Sequence, residues 1–355
     1  MKEIRQKLLR QAAIPDREKR RLGGRAVLFG LTAALLLAML LSFCLGRYPV
    51  GIHELLGILG HRLGLYRGAS FWSETQYVAV WNVRLPRVLL SVLVGASLAC
   101  AGTAFQGAFQ NPMASPDILG ASAGAGFGAA LAIFFGLGSS LITFSAFAMS
   151  MLTVGLVFFI SRFAKGDKTI GLILSGIMVS SLFQAATSFI KLVADPGNRL
   201  PAITYWLMGS LVGATRGETA FVLWPMLLGF TPLMLLRWRL NVITMGDDDA
   251  RSMGVHPGRV RLAAIAGATL LTAASVSVSG MIGWVGLVIP HMMRRLVGAD
   301  HRFLLPASAL GGGLFLLLVD DISRCAGQSE IPIGILTAFI GAPFFLLLIT
   351  RRNQS

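Results

Sequence analysis

Runs of 18 or more apolar residues without a charge recur along this chain, and each is long enough to cross a hydrocarbon core of about 30 Å as a helix. Ala26 to Leu45 is the first of them. Within lipid the backbone has to satisfy its own hydrogen bonds, which leaves helices or a closed barrel. Barrel strands alternate apolar and polar residues over about ten positions, and these runs do not alternate. The reading is an all-α polytopic membrane protein. Composition agrees: 55% of the 355 residues are hydrophobic and 13% charged, too apolar a balance for a soluble domain of this length.

Polar breaks divide the apolar sequence into ten spans, at 26–46, 88–107, 115–135, 139–161, 169–193, 218–236, 260–280, 281–297, 303–322 and 332–350. Residues 1–25 form a basic tail, 26–350 a single transmembrane domain and 351–355 a short second tail. The stretch 203–213 is too short to span and reads as a re-entrant or surface helix on the outer side. The net charge of +15 raises the possibility of nucleic acid, but the placement of the 31 Lys and Arg residues argues otherwise. Nine stand in the first 25 positions, with no aromatic residue among them to stack on a base. With an even number of spans and a basic start, both termini lie inside the cell, and inside segments then hold 22 of the basic residues. That asymmetry points to an anionic membrane surface and not to nucleic acid. The long charged start, followed by an apolar run with no small-residue cleavage site, is unlike a removed signal peptide.

Little in the sequence offers catalysis. Cys44, Cys100 and Cys325 are scattered, the five His have no ligand spacing, and no metal site is expected. No GxxxxGK[ST] loop is present, so ATP is not bound by that route. No span interior holds the paired carboxylates of a proton-coupled carrier. The nearest case, Asp320 with Asp321 beside Arg324, reads equally as a helix-end pair reaching water or as a functional pair. Gly120, Gly124 and Gly128 recur every four residues, as on a helix face that admits a close neighbour, in the first instance within the same subunit. The inside loop between spans six and seven contains Asp247, Asp248 and Asp249 at a helix start, Arg251 near its end and Gly254 as a stop, which predicts a short helix. By spacing alone this helix is either a solvated connector or a rigid contact for a soluble motor.

Several segments, taken together and in order, resemble the signature of FecCD-type permeases, the membrane subunits of ABC importers for iron-siderophores, haem and cobalamin. They are Arg84-Leu85-Pro86-Arg87, Gly102 to Gly107, Asn111-Pro112-Met113-Ala114-Ser115-Pro116, Leu119 to Ala125, Asp248 to Val255, Gly286 to His291, Gly298 to Arg302, Ile331 to Gly334 and Gly341-Ala342-Pro343. The resemblance runs from about residue 84 to 345. It implies a type II ABC importer permease fold with ten transmembrane helices in the inner membrane of a prokaryote. It also implies a homodimer (or a pair with a close paralogue), two ATP-binding cassette subunits that carry the ATP and Mg, and a periplasmic or lipid-anchored substrate-binding protein. The chain itself would hold no cofactor and would not be an enzyme.

Carried over residue by residue, Asp247, Asp248, Asp249, Ala250, Arg251, Ser252, Met253 and Gly254, within 240–258, match the coupling helix that meets the ATPase. Arg84, Arg87 and Arg324 match arginines that receive carboxylates of the binding protein. Asn111 and Met113, with Thr169, match the cytoplasmic gate. An iron-siderophore chelate is the first expectation for cargo, with haem or cobalamin as alternatives. The rivals are an ion-coupled secondary transporter, which would move solute unaided, and a membrane enzyme, which would need a cluster of ionisable groups at membrane depth.

Overall fold

The computed structural model describes residues 2–46, 48–62, 64–65, 70–166, 168–327 and 329–352. In chain order the helices are α1 (Lys2–Cys44), α2 (Ile52–Arg62), α3 (Glu74–Val78), α4 (Leu85–Ala108), α5 (Ala121–Phe134), α6 (Ser139–Ser161), α7 (Lys168–Val193), α8 (Arg199–Leu207), α9 (Arg216–Ile243), α10 (Asp247–Ser252), α11 (Pro257–Ser279), α12 (Val285–Val297), α13 (His301–Cys325) and α14 (Ile333–Arg352). Each of the ten expected spans contains a helix, and among the described residues seven helices are both long and apolar enough to cross a membrane. Between residues 2 and 25 the chain belongs to α1, continuous with the first span. The short helix predicted over 203–213 is displaced: α8 ends at Leu207, and a turn with Gly209 at φ 76° follows.

α4 is the hub, packed against α13, α11, α12 and α9. Small residues put it there. A methyl group on Gly95 would stand 2.2 Å from the Gly312 carbonyl oxygen of α13, and one on Gly312 would stand 2.3 Å from that of Gly95. The two backbones therefore touch, and either substitution would force them apart. α5 and α6 meet in the same way, since a Cβ on Gly124 or Gly128 would enter Thr153 or the Ser145 carbonyl. The glycine spacing thus serves packing inside the subunit. Gly120 is not part of that face: it caps the N-terminus of α5 in the left-handed region, at φ 75°.

Two of the expected spans are half-length. α5 has 14 residues and α12 has 13, about 21 and 20 Å at 1.5 Å per residue. The missing part of 115–135 is a loop and a 3₁₀ turn, Pro116–Leu119; the missing part of 281–297 is an open strap ending at Trp284, φ 70°. Both breaks lie within the bundle. A methyl on Gly102 would be 1.8 Å from the Gly286 carbonyl, and one on Gly286 would be 2.5 Å from Pro116. Gly102 lies about 9 Å before the end of α4, so Pro116 and Gly286 sit well inside the bundle and not at its surface.

Before α4 the helix widens. Pro86 has no N–H to donate to the carbonyl four residues back, and the Leu85 N–H reaches Val80 instead, closing a π turn over Ala79–Arg84. The Trp81 carbonyl, left out of that ladder, accepts from Arg216 Nη2 at 2.7 Å.

Candidate functional site: two polar ends and a recess between them

At one end of the bundle, Arg84, Arg87 and Arg324 lie together with Asp320, Asp321 and Glu330. Arg87 bonds Asp320 Oδ1 through Nε (3.0 Å) and Nη2 (2.9 Å), and bonds Glu330 through Nη1 (3.1 Å) and Nη2 (2.7 Å). Arg324 pairs with Asp320 at 3.3 Å, contacts Asp321, and donates to Ser42 Oγ at 2.7 Å. Ser42 in turn donates to Asp321 at 2.7 Å, which ties α1 to α13. Arg84 donates to the Phe43 carbonyl at 2.5 Å and to that of Tyr48, closing the end of α1.

The resemblance pairs these arginines with carboxylates of a separate protein, which calls for exposed side chains. The structure buries all three, each about 5 to 6% exposed, with Asp320 fully buried and Asp321 at 8%. Asp320 and Asp321 are therefore not a pair reaching water: Arg87 and Arg324 share the three carboxylates, while Arg84 beside them is held by backbone carbonyls, as buried polar groups must be. Of the six, Glu330 is the most open, with a quarter of its side chain exposed. The i+3 and i+4 spacing of Asp321 and Asp320 to Arg324 was a readable signal for part of this cluster. Glu330 gave none.

The other end carries α10. Gly246, at φ 124°, turns the chain into it, and Gly254, at φ 75°, ends it. The Val255 N–H returns to the Ala250 carbonyl at 2.9 Å, and Gly254 bonds Arg251 at 3.0 Å, a glycine-closed C-terminus. The helix expected from the sequence is present. Ala250 is buried beneath it while Asp248 is almost fully exposed and Arg251 and Met253 stand in the open. α10 is thus anchored by one small apolar residue and presents a charged outer face.

A residue passed over in the sequence joins this helix to the rest. Arg261, in the first turns of α11, forks onto Asp247 through Nη2 (2.6 Å) and Nη1 (3.0 Å), and its Nε donates to the Ala108 carbonyl at 3.1 Å. The Arg261 hydrogen bonds hold the Asp247 carboxyl below the usual carboxylate range. Ala108 is the last residue of α4, whose terminal carbonyls have no partner within the helix. Asn111 and Met113 follow on an exposed loop, tied by the Met113 N–H to Asn111 Oδ1 at 2.9 Å. Gln110, in the left-handed region at φ 52°, donates to the Ile243 carbonyl at the end of α9. Thr169 sits half-buried in the first turn of α7, on a different element.

Between the ends lies a recess of about 510 Å³. Its walls are the broken starts of α5 and α12 (Asp117, Ser122, Met281 to Gly283) and Ser180, Ser181 and Gln184 of α7. Asp117 accepts from Ser122. It is a carboxylate inside the stretch 115–135, which apolar run length alone reads as one unbroken span. Ser181, Gln184 and Ser188 are exposed on one side of α7, where lipid would solvate them poorly.

The FecCD transport family model matches residues 34–351. The molybdate import system permease of Haemophilus influenzae is 39% identical over 328 residues, 92% of this chain and 96% of that protein. The cobalamin import permease of Halobacterium salinarum is 42% identical, covering 79% of this chain and 75% of its own, and the hemin transport permease of Yersinia pestis is 39% identical, covering 80% and 88%. A solved structure described as an inward-facing metal-chelate type ABC transporter overlays with a TM-score of 0.82 at 38% identity, over 92% of this chain and 99% of the other.

Proposed function

The chain belongs to the FecCD transport family, and from that premise we propose that it forms, as a homodimer, the path by which an iron-siderophore chelate enters the cell. Membership makes it the polytopic permease subunit of an ABC importer. The finer assignments are our reading. α10 lies on the cytoplasmic side and receives the push of the ATPase through Asp247 to Gly254. Its support is geometric: a short helix closed by glycines at both ends, anchored at Ala250 and exposed on its acidic face, is a rigid handle between α9 and α11.

The recess at the broken helices belongs to the path. A polar side of α7 and a carboxylate at membrane depth are tolerable only where water or a second copy covers them. Serine, glutamine and one aspartate offer no nest of metal ligands, so the metal passes as a finished complex. Relatives are named for molybdate, cobalamin, hemin and ferric citrate. The iron chelate is our first choice among these, with haem or cobalamin as the alternative.

The observation that carries the coupling reading is α10 and its tie to α4. Vesicles containing this chain, its ATPase and its binding protein should take up a ferric siderophore only when all three and ATP are present. Uptake by the chain alone, driven by an ion gradient, would replace this reading with a secondary transporter. Uptake of molybdate in preference to every chelate would leave the coupling intact and overturn the cargo.

At the opposite end, Arg84, Arg87 and Arg324 meet the binding protein. Glu330 occupies the fork of Arg87 until a partner carboxylate takes its place, a bidentate exchange that suits arginine.

A further inference from the structure

We propose that Arg261 is a positioning residue that passes the displacement of α10 to the gate loop after α4. This rests on the reading of α10 as the ATPase contact. The guanidinium is one rigid plane, and all three of its nitrogens are engaged: two on the carboxylate of the first α10 residue, the third on the last carbonyl of α4. Movement of Asp247 therefore drags a planar bridge whose far edge holds Ala108. Three and five residues beyond that carbonyl stand Asn111 and Met113.

A second tie makes the linkage directional. Gln110 donates to the carbonyl of Ile243, four residues before α10 begins. The gate loop is thus held to both flanks of α10, to the end of α9 by Gln110 and to the start of α11 by Arg261. A rotation of α10 that pulls Asp247 while Ile243 stays fixed would twist the segment between Ala108 and Gln110. That segment already contains the left-handed backbone of Gln110, the conformation most easily lost when the chain is pulled.

The alternative role for Arg261 is static, a cation closing the carbonyl end of α4. The two differ at Asp247. A cap needs only the Nε bond to Ala108, whereas a bridge needs both ends.

The test uses the full chain with its ATPase subunits in nanodiscs, with Cys44, Cys100 and Cys325 replaced by alanine and Met113→Cys as reporter. The readout is maleimide labelling at position 113 with ATP and vanadate against no nucleotide, normalised to bound ATPase. The parent should change labelling rate by about tenfold, and Arg261→Met or Asp247→Asn should reduce that to under about twofold. The double variant should be no worse than either alone. Arg261→Lys, which keeps the charge and loses the fork, should fall between, and it serves if Arg261→Met does not fold. A full nucleotide response in Asp247→Asn, with ATPase bound, overturns the bridge. No response in the parent overturns the ATP-driven reading itself, and the bridge with it.

Discussion

The two ends of this molecule handle arginine in opposite ways. At the Arg87 end, Arg87 and Arg324 share three carboxylates and are almost wholly removed from solvent. At the α10 end, Arg261 is a quarter exposed, its partner Asp247 is more open still, and part of its bonding goes to a backbone carbonyl. A buried cluster of this kind resists losing a carboxylate that nothing replaces, because removing one member strands a charge in a poor solvent. A partly open fork can stretch, admit water and re-form. The first arrangement suits an end that must keep α1, α4 and α13 together; the second suits an end that must move.

The largest effect should come from breaking the balance. Asp320→Ala leaves Arg87 with Glu330 alone and Arg324 with Asp321 alone, and should cost about 3 kcal/mol or more, read as a lowered midpoint of thermal unfolding in detergent. Asp247→Ala at the other end should cost no more than about 1 kcal/mol, as for a surface pair. Equal shifts for the two would erase the contrast between the ends.

Next in size is Arg84→Gln. It withdraws the donors on Phe43 and Tyr48, and about 1 to 2 kcal/mol of closure at the end of α1 should go with them. Faster amide exchange confined to the end of α1 would register it. The residue is thus structural as well as a candidate for docking, so loss of docking in Arg84→Gln has to be compared with the stability change. Glu330→Gln is the cleaner probe. It weakens the occupant of the Arg87 fork and leaves Asp320 in place, so binding-protein association should quicken by about threefold. A slower association would show that Glu330 is part of the docking surface and not its rival.

Much of this was legible in the sequence, for identifiable reasons. Apolar run length placed a helix within each expected span, and the acidic start at Asp247 to Asp249 with the stop at Gly254 set the bounds of α10. Apolarity could not show that 115–135 and 281–297 are broken, because the strap at 280–284 is as apolar as its helix and a single Asp117 does not interrupt the apolar run around Pro116. Asp117 was hidden by the same assumption. The π turn before α4 has its sequence signal in Pro86, which removes a donor without specifying how the helix adjusts. The arginines matched to docking residues are buried, and the carboxylates that neutralise Arg87 come from more than 200 positions away, beyond the reach of local spacing. Arg261 had no signal at all: its bond to Asp247 spans a helix, a turn and a second helix start, and its bond to Ala108 belongs to the tertiary fold.

The smallest expected effect follows from acid. Because the Arg261 fork lowers the Asp247 carboxyl in the folded state, the fork contributes stability above the ordinary carboxylate value of about 3.9 and loses it as pH falls through the lower folded value. Between about pH 8 and pH 5 the fork should therefore hold unchanged, and the gate response at position 113 with it. As pH falls through that lowered value, below the ordinary carboxylate range, protonation of Asp247 should release Arg261 from α10 while its Nε bond to Ala108 persists, since a carbonyl does not titrate there. Asp247→Asn should flatten that acid limb, and only that limb. An acid limb that survives in the variant would assign it to another carboxylate, and the fork would then owe its hold to the α4 carbonyl more than to the charge on α10.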